Sequence, residues 1–443
     1  MSDRRFWISI FLVLAVALGL RIGVASWWQT RLDRQDRAFG MGDSEGYWVL
    51  AGQLAAGLPY QYGSPDAAVF RAPGYPLLLS PLHAPDDPRQ PLWSRSLGKA
   101  RLLGCVLGTL AVGLVIGLSV WLDGRGTAII AGTLAALYPG GVTMSVLLLS
   151  EAPFVPLMLL VLGALVALLQ SEHHPEADRR RGRGIVLAGA AGCLSGLAVL
   201  TRPSWLLFLP FYFALRLVLA EQRRRELGWA IVAGTAMAVT MAPWWVRNYR
   251  VTGQFVPTTL QVGASLYDGW HAGATGASDT GMEFSSEFAA ELRREDAAAG
   301  GGPRANFEYR LNQRMAAAAV AWAREHPGEV VRLAGAKIAR TWWPWPSAAE
   351  LPGGAVVRWA FALGALAIAV PGAIYAVGRR FWRSPLFPLV VPVLYFTLLH
   401  AVFVGSIRYR QPALVALIVL AAPQYMHWWR RLAPTTATTS SSV

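Results

Sequence analysis

Apolar residues run along this chain in blocks too long for strands and too continuous for the core helices of a water-soluble domain. A spanning helix needs about 20 predominantly apolar residues, and roughly ten blocks meet that measure. They are centred near Val13, Leu110, Leu134, Leu160, Ser195, Phe211, Met237, Ala365, Val393 and Ile418. The polar breaks between them alternate in character. Arg4 and Arg5, Arg125, Arg179 to Arg181 with Arg183, Arg223 to Arg225, Arg379, Arg380 and Arg383, and Arg430 with Arg431 occupy alternate connections. Such clusters stay in the cytoplasm, which places both termini there. The first block continues through Ile22 to Trp28 without a small-residue cleavage site, so it reads as a retained anchor and not as a signal peptide. No solenoid-type repeat is visible.

The alternation leaves two long connections on the outer face, residues 30–96 and 247–354, while the cytoplasmic loops are short and basic. Within the first, Tyr47 to Ala56 and Tyr75 to Leu82 read as short helices lying along the bilayer surface. The second holds a Gly-rich, acidic stretch from Ala272 to Gly302, expected to be mobile, and then an amphipathic helical run from Asn306 to Arg324. Trp342, Trp343 and Trp345, beside Pro344 and Pro346, mark a return to the membrane interface. The expected fold is therefore an all-α polytopic membrane protein. About ten transmembrane helices and the interfacial helices of its two outer loops form one integrated unit over residues 1–431. The Thr- and Ser-rich residues 432–443 read as a short disordered cytoplasmic tail.

Composition agrees with the patterning. Of 443 residues, 54% are hydrophobic and 15% charged, with a mean hydropathy of +0.38, which excludes an ordinary soluble domain. The net charge of +14 would suggest a nucleic-acid partner in a soluble chain. Here the basic residues orient spans, so no nucleic acid is expected. Cys105 and Cys193 both sit in apolar runs and read as small buried side chains, with neither a disulfide framework nor a metal site.

Outer-facing charges come from far-apart segments. Asp43 and Glu45 follow the first block, Glu151 lies between the third and fourth, and Arg202 between the fifth and sixth. Arg247 and Asn248 follow the seventh; His400, Arg408, Tyr409 and Arg410 surround the end of the ninth. Their convergence implies a polar cavity at the outer boundary, where carboxylates handle a proton and arginines hold a phosphate through bidentate, charge-assisted hydrogen bonds. A phosphate-linked lipid suits such a cavity. Structural alternatives stand beside each assignment. Glu151 also suits a helix N-terminus, Arg202 and Arg247 suit interfacial snorkelling, His400 a buried hydrogen bond, and Arg71 to Pro76 a tight turn. No His-x-x-x-His or Cys-x-x-Cys spacing, Walker-type loop or dinucleotide fingerprint occurs. The donor is thus expected to be lipid-borne, with no obligatory metal.

Several strings, in order, resemble the GT-C superfamily: Asp43-x-Glu45-x-Tyr47, Gly57-Leu58-Pro59-Tyr60, Arg71-x-Pro73-Gly74-Tyr75-Pro76, Ser150-Glu151, Leu200-Thr201-Arg202-Pro203, Pro243-Trp244-Trp245-x-Arg247-Asn248, His400, and Arg408-Tyr409-Arg410-x-Pro412. The likeness is to the bacterial branch related to dolichyl-phosphate-mannose protein mannosyltransferases and the lipid A aminoarabinose transferase. It implies an inner-membrane glycosyltransferase of the cell envelope that moves a sugar, hexosyl or pentosyl, from a polyprenyl-phosphate carrier to a glycan, lipid or protein acceptor. Transfer would occur at the periplasmic face, with inversion. The acidic residue of the first outer loop maps to Asp43, as general base or acceptor-orienting group, with Glu151 as the second acidic candidate. Arg408 and Arg410 take the carrier phosphate, with Arg71, Arg202 and Arg247 as further candidates; Tyr47, Tyr75, Asn248, His400 and Tyr409 line the substrate path. A divalent cation held jointly by Asp43 and Glu151 is the alternative the resemblance leaves open. A lipid-linked sugar transporter or flippase is the competing function, although transporters place coupling charges near the midplane.

Overall fold

The computed structural model describes residues 2–63, 67–85, 90–171, 177–279, 283–299, 306–348, 351 and 354–432. The tail expected over 432–443 lies outside the described residues apart from Leu432. Among the described residues there are no strands. The helices are α1 (Asp3–Asp33), α2 (Gly42–Ala55), α3 (Gly74–Leu79), α4 (Ser96–Asp123), α5 (Arg125–Leu137) and α6 (Pro139–Val146). Then come α7 (Glu151–Ser171), α8 (Ala177–Thr201), α9 (Phe208–Leu219), α10 (Arg223–Thr252), α11 (Val262–Gly269) and α12 (Glu283–Ala298). The chain continues with α13 (Phe307–Glu325), α14 (Pro327–Trp342), α15 (Ala355–Gly378), α16 (Phe387–Val402) and α17 (Gln411–Leu432).

All ten apolar centres fall within helices. Six helices are long and apolar enough to cross a membrane: α1, α4, α7, α8 from Gly182, α10 and α15. A seventh crossing is formed if α5 and α6, bent by 54° at their junction, are one broken span. The bend has a local cause, because Tyr138 precedes Pro139 and takes an extended conformation (ψ 114°) that no helix continues through. The other two apolar helices are shorter, Pro203–Leu219 and Phe387–Val402, and α17 accompanies them with a buried run from Gln411 to Gln424. This is a multi-pass membrane protein.

The bundle is built around α7, most of whose side chains are buried, and the first two-thirds of α17. Helix α8 lies between α7 and α10, and α15 packs along α17. The α8–α10 approach is so close that a Cβ at Gly192 would stand 2.2 Å from the Ala233 carbonyl oxygen. In contrast, Phe11 (70% exposed), Val186 (70%) and Val239 (68%) point outward from spanning helices, where the bilayer takes the place of water. That belt corrects one expectation. Cys105 is buried, but Cys193 lies on an exposed face of α8, because an apolar run in a membrane protein need not face protein.

The first outer loop contributes α2 and α3 close to the anticipated positions. The second is more ordered than expected. The stretch from Ala272 to Gly302 contains α12 and lies between α11 and α13, the latter matching the helical run expected from Asn306 to Arg324. Asp296 of α12 clasps Arg310 of α13 through two bonds of 2.9 and 2.6 Å. The Gly263 amide donates to Asn312 Oδ1 at 2.7 Å, so α11, α12 and α13 form one lobe.

Candidate active site

Five helix ends meet on one side of the bundle: the start of α2, the first residue of α7, the end of α8, the end of α16 and the turn before α17. The chain reaches this arrangement through small local devices. Ser44, beside Asp43, donates its hydroxyl to the Leu147 carbonyl in the turn that precedes Glu151. Gly74 permits α3 to dock against the end of α8, since a Cβ there would stand 2.6 Å from the Leu200 carbonyl oxygen. This contact sets α3, which follows the Arg71 turn, against the end of α8.

The charged side chains form a continuous alternating series. Arg71 Nη2 donates to Asp43 Oδ1 at 2.7 Å, and Arg408 Nη1 to Asp43 Oδ2 at 2.7 Å. Arg408 also grips Glu151, with Nε to Oε1 at 2.5 Å and Nη2 to Oε2 at 3.0 Å. Arg202 Nη1 reaches Glu151 Oε1 at 2.7 Å. Three guanidiniums against two carboxylates leave one positive charge in excess. Glu151 is fully enclosed, whereas Asp43 retains 29% of its side-chain exposure and is the open end of the series.

Burial alone would raise the Asp43 pKa, but Arg408 and Arg71 outweigh it and hold the carboxyl well below the usual carboxylate range. Burial likewise works against the charge on Arg408, but Glu151 and Asp43 overcome it and raise its pKa further. Asp43 and Arg408 are therefore both charged at neutral pH. Enclosed ion pairs are weak contributors to net stability, because desolvation offsets much of their attraction. A series of this length in a membrane protein is thus better explained by what it binds than by what it stabilises.

Aromatic rings support the cations. Arg71 lies over Tyr47 at 5.4 Å and Phe70 at 5.2 Å, and Arg202 lies over Tyr409 and Phe154, both at 5.8 Å. Tyr409 stacks flat on His400, with centroids 3.9 Å apart and planes 2° from parallel. His400 Nδ1 lies 3.0 Å from the Val404 carbonyl oxygen, while its Nε2 has no hydrogen-bond partner among the described residues. Tyr75 is fully buried beneath Tyr47, at 5.3 Å, and so backs the site. Glu45 is exposed and apart from the series.

The remaining anticipated residues are elsewhere. Arg410 is 1% exposed and donates Nη1 to the Trp343 carbonyl at 2.6 Å and the Thr341 carbonyl at 3.3 Å, tying the end of α14 to the start of α17. Arg247 donates to the Ala68 carbonyl at 2.6 Å and the Tyr60 carbonyl at 3.2 Å. Asn248 is fully buried and donates to the carbonyls of Val256 and Thr258 at 3.2 and 3.4 Å. These three hold backbone. Sequence reasoning named Tyr60 only as part of a string and passed over Gln261 and Glu308; all three contact the Arg71 segment. The acid in the first turn of α13 was the one available signal.

Among the described residues no group of three His, Cys, Asp or Glu side chains comes together. Asp43 and Glu151 flank Arg408, and each already receives two guanidiniums. A divalent cation between them would have to displace Arg408 from at least one carboxylate.

No protein-family model and no curated protein sequence matches the chain. Solved structures do. The oligosaccharyltransferase AglB from Archaeoglobus fulgidus, in complex with an inhibitory peptide and a dolichol-phosphate, aligns at TM-score 0.56 and 16% identity. That alignment covers 98% of this chain and 52% of that one. The same oligosaccharyltransferase tethered to an acceptor peptide aligns at TM-score 0.57 and 15% identity, over 97% and 51%. ArnT from Cupriavidus metallidurans bound to undecaprenyl phosphate aligns at TM-score 0.43 and 16% identity, over 95% and 78%, too loosely to add to the comparison. The chain spans about half the length of the archaeal enzyme. It shares a fold with that enzyme over almost all of its own length.

Proposed function

We propose that this protein is a glycosyltransferase of the bacterial inner membrane. It takes a hexosyl or pentosyl group from a polyprenyl-phosphate carrier and transfers it, with inversion, to a glycan, lipid or protein acceptor at the periplasmic face. Both termini lie in the cytoplasm, and the basic connections of the sequence support that orientation. The reading is carried by the series Arg71–Asp43–Arg408–Glu151–Arg202. The fold supports it, since AglB, which shares the fold, was solved with a dolichol-phosphate.

The chemistry follows from the geometry. The excess positive charge attracts the carrier phosphate, and Arg71 brings an Nε–H that has no partner among the described residues. Phosphate oxygens compete with Asp43 for Arg71 and Arg408, because guanidinium binds phosphate bidentately. Relieved of part of that pairing, Asp43 becomes a better hydrogen-bond acceptor and orients the acceptor hydroxyl toward the anomeric carbon. The hydroxyl oxygen forms the new glycosidic bond as the bond from anomeric carbon to phosphate oxygen breaks. The electron pair leaves on the phosphate, stabilised by Arg408 and Arg71, and the hydroxyl proton passes to Asp43. Glu151 remains charged and buried, holding Arg408 and Arg202 in register.

Mass spectrometry of a deletion strain tests this. Accumulation of a carrier-linked monosaccharide, with loss of one envelope glycan modification, is expected. No change in any carrier-linked sugar, together with failure of the purified protein to bind polyprenyl phosphate, overturns it.

A further inference from the structure

Arg71 reaches Asp43 from a loop, and loops set side chains less precisely than helices do. Residues 67–72 are nonetheless held at several backbone polar groups. The amides of Ala68 and Val69 both donate to Glu308 Oε2 at 2.9 Å, and Val69 also approaches Oε1 at 3.3 Å. The Ala68 carbonyl accepts from Arg247 at 2.6 Å, and the Val69 carbonyl from the Leu260 amide at 3.0 Å. Tyr60 donates its hydroxyl to the carbonyls of Arg71 and Ala72 at 3.3 and 3.1 Å. Burial raises the Tyr60 pKa, so the hydroxyl keeps its proton. Beneath the loop, Val69 is fully buried against Trp244, Val256 and Leu260.

Most of these contacts come from α10 and the segment that follows it. Glu308 differs, because it belongs to α13 and hence to the outer lobe with α11 and α12. Its carboxylate is the link from that lobe to the Arg71 backbone, joined by the longer contact of Arg71 Nη1 to Gln261 Oε1 at 3.4 Å. We propose that Glu308 is a positioning residue for glycosyl transfer: by receiving the Ala68 and Val69 amides it fixes Arg71 on Asp43 and couples the α11–α13 lobe to the charged series. This rests on the transferase reading above. A displacement of α13 would therefore move the backbone that carries Arg71.

The test compares Glu308→Ala, Glu308→Gln and Arg71→Ala, singly and with Glu308→Ala added to Arg71→Ala, in purified full-length protein. Single-turnover transfer is followed alongside hydrogen exchange at residues 67–71. Glu308→Ala is expected to lower the transfer rate about tenfold, with carrier KM changed less than about twofold, since misplacement acts on the transition state. Glu308→Gln recovers most of the loss, because one amide oxygen receives both amides as Oε2 does here. Added to Arg71→Ala, Glu308→Ala has no further effect, because it acts through Arg71. Unchanged exchange at Ala68 and Val69 in Glu308→Ala, or multiplicative loss in the double variant, overturns the proposal. Absence of transfer by the wild-type protein overturns the transferase reading instead, and the exchange result still decides whether the clamp exists.

Discussion

Replacing Asp43 with Asn tests the charged series at its open end. The carboxylate accepts two charge-assisted bonds of 2.7 Å, one each from Arg71 and Arg408. The amide keeps one acceptor oxygen and turns an NH2 toward the other guanidinium. Losing one such bond costs about 1.5–3 kcal/mol in an enclosed site. Because Asp43 is 29% exposed, solvent screening lowers this to about 1–2 kcal/mol. The fold therefore survives. The excess charge of the series rises by one, so affinity for the carrier phosphate is retained or improved. Transfer responds differently, because the group that orients the acceptor and receives its proton is gone, a loss of about 10²–10⁴ in rate. The assay is single-turnover transfer from a labelled polyprenyl-phosphate sugar in nanodiscs, with carrier binding and thermal midpoint measured on the same preparation. Wild-type transfer by folded Asp43→Asn protein removes Asp43 from the mechanism. Loss of carrier binding in parallel with transfer would show that Asp43 holds the arginines in place and does nothing more.

Glu151→Gln leaves Arg408 and Arg202 facing a neutral amide inside the bundle, and an expected destabilisation of about 3–5 kcal/mol is read as a lowered thermal midpoint; an unchanged midpoint contradicts the enclosed pairing. Arg410→Met removes the bonds to the end of α14, so it lowers stability while carrier affinity of the folded fraction stays within about twofold; a tenfold weaker affinity would assign Arg410 to the phosphate. EDTA treatment followed by gel filtration is expected to leave transfer intact, since Arg408 stands between the two carboxylates; restoration by added Mg2+ or Mn2+ would refute this. For pH, the folded Asp43 pKa lies below its unfolded value, so the stabilisation is fully present above about pH 3.9 and is lost as pH falls through the folded value. The midpoint difference between wild type and Asp43→Asn should stay constant from about pH 8 to about pH 5, and a difference that shrinks near pH 6 would show Asp43 to be unpaired.

The spanning helices were legible because each is a continuous apolar run, and every anticipated centre lies in a helix. Helices α11, α12 and α14 were not, since they are short or carry charge and small residues that resemble loop composition. Partner choice within the site was less visible still. Arg408 and Arg410 are two residues apart in one turn, yet one joins both carboxylates and the other ties down α14. Arg247 and Arg202 each follow an apolar run, but Arg247 faces backbone carbonyls and Arg202 faces Glu151. Local sequence shows that a cation stands near the interface, while the acceptor opposite it is supplied by a segment from tens to hundreds of residues away.

Asp43 and Arg408, joined by a direct ion pair, are 365 residues apart. At ribosomal rates that interval takes roughly 20–70 s, during which the earlier helices insert with Asp43 and Glu151 both awaiting Arg408. The charged series is thus incomplete in the growing polypeptide until residue 408 has been added. A nascent product that stops short of Arg408 would keep only the Asp43–Arg71 and Glu151–Arg202 pairs, each carboxylate short of one guanidinium.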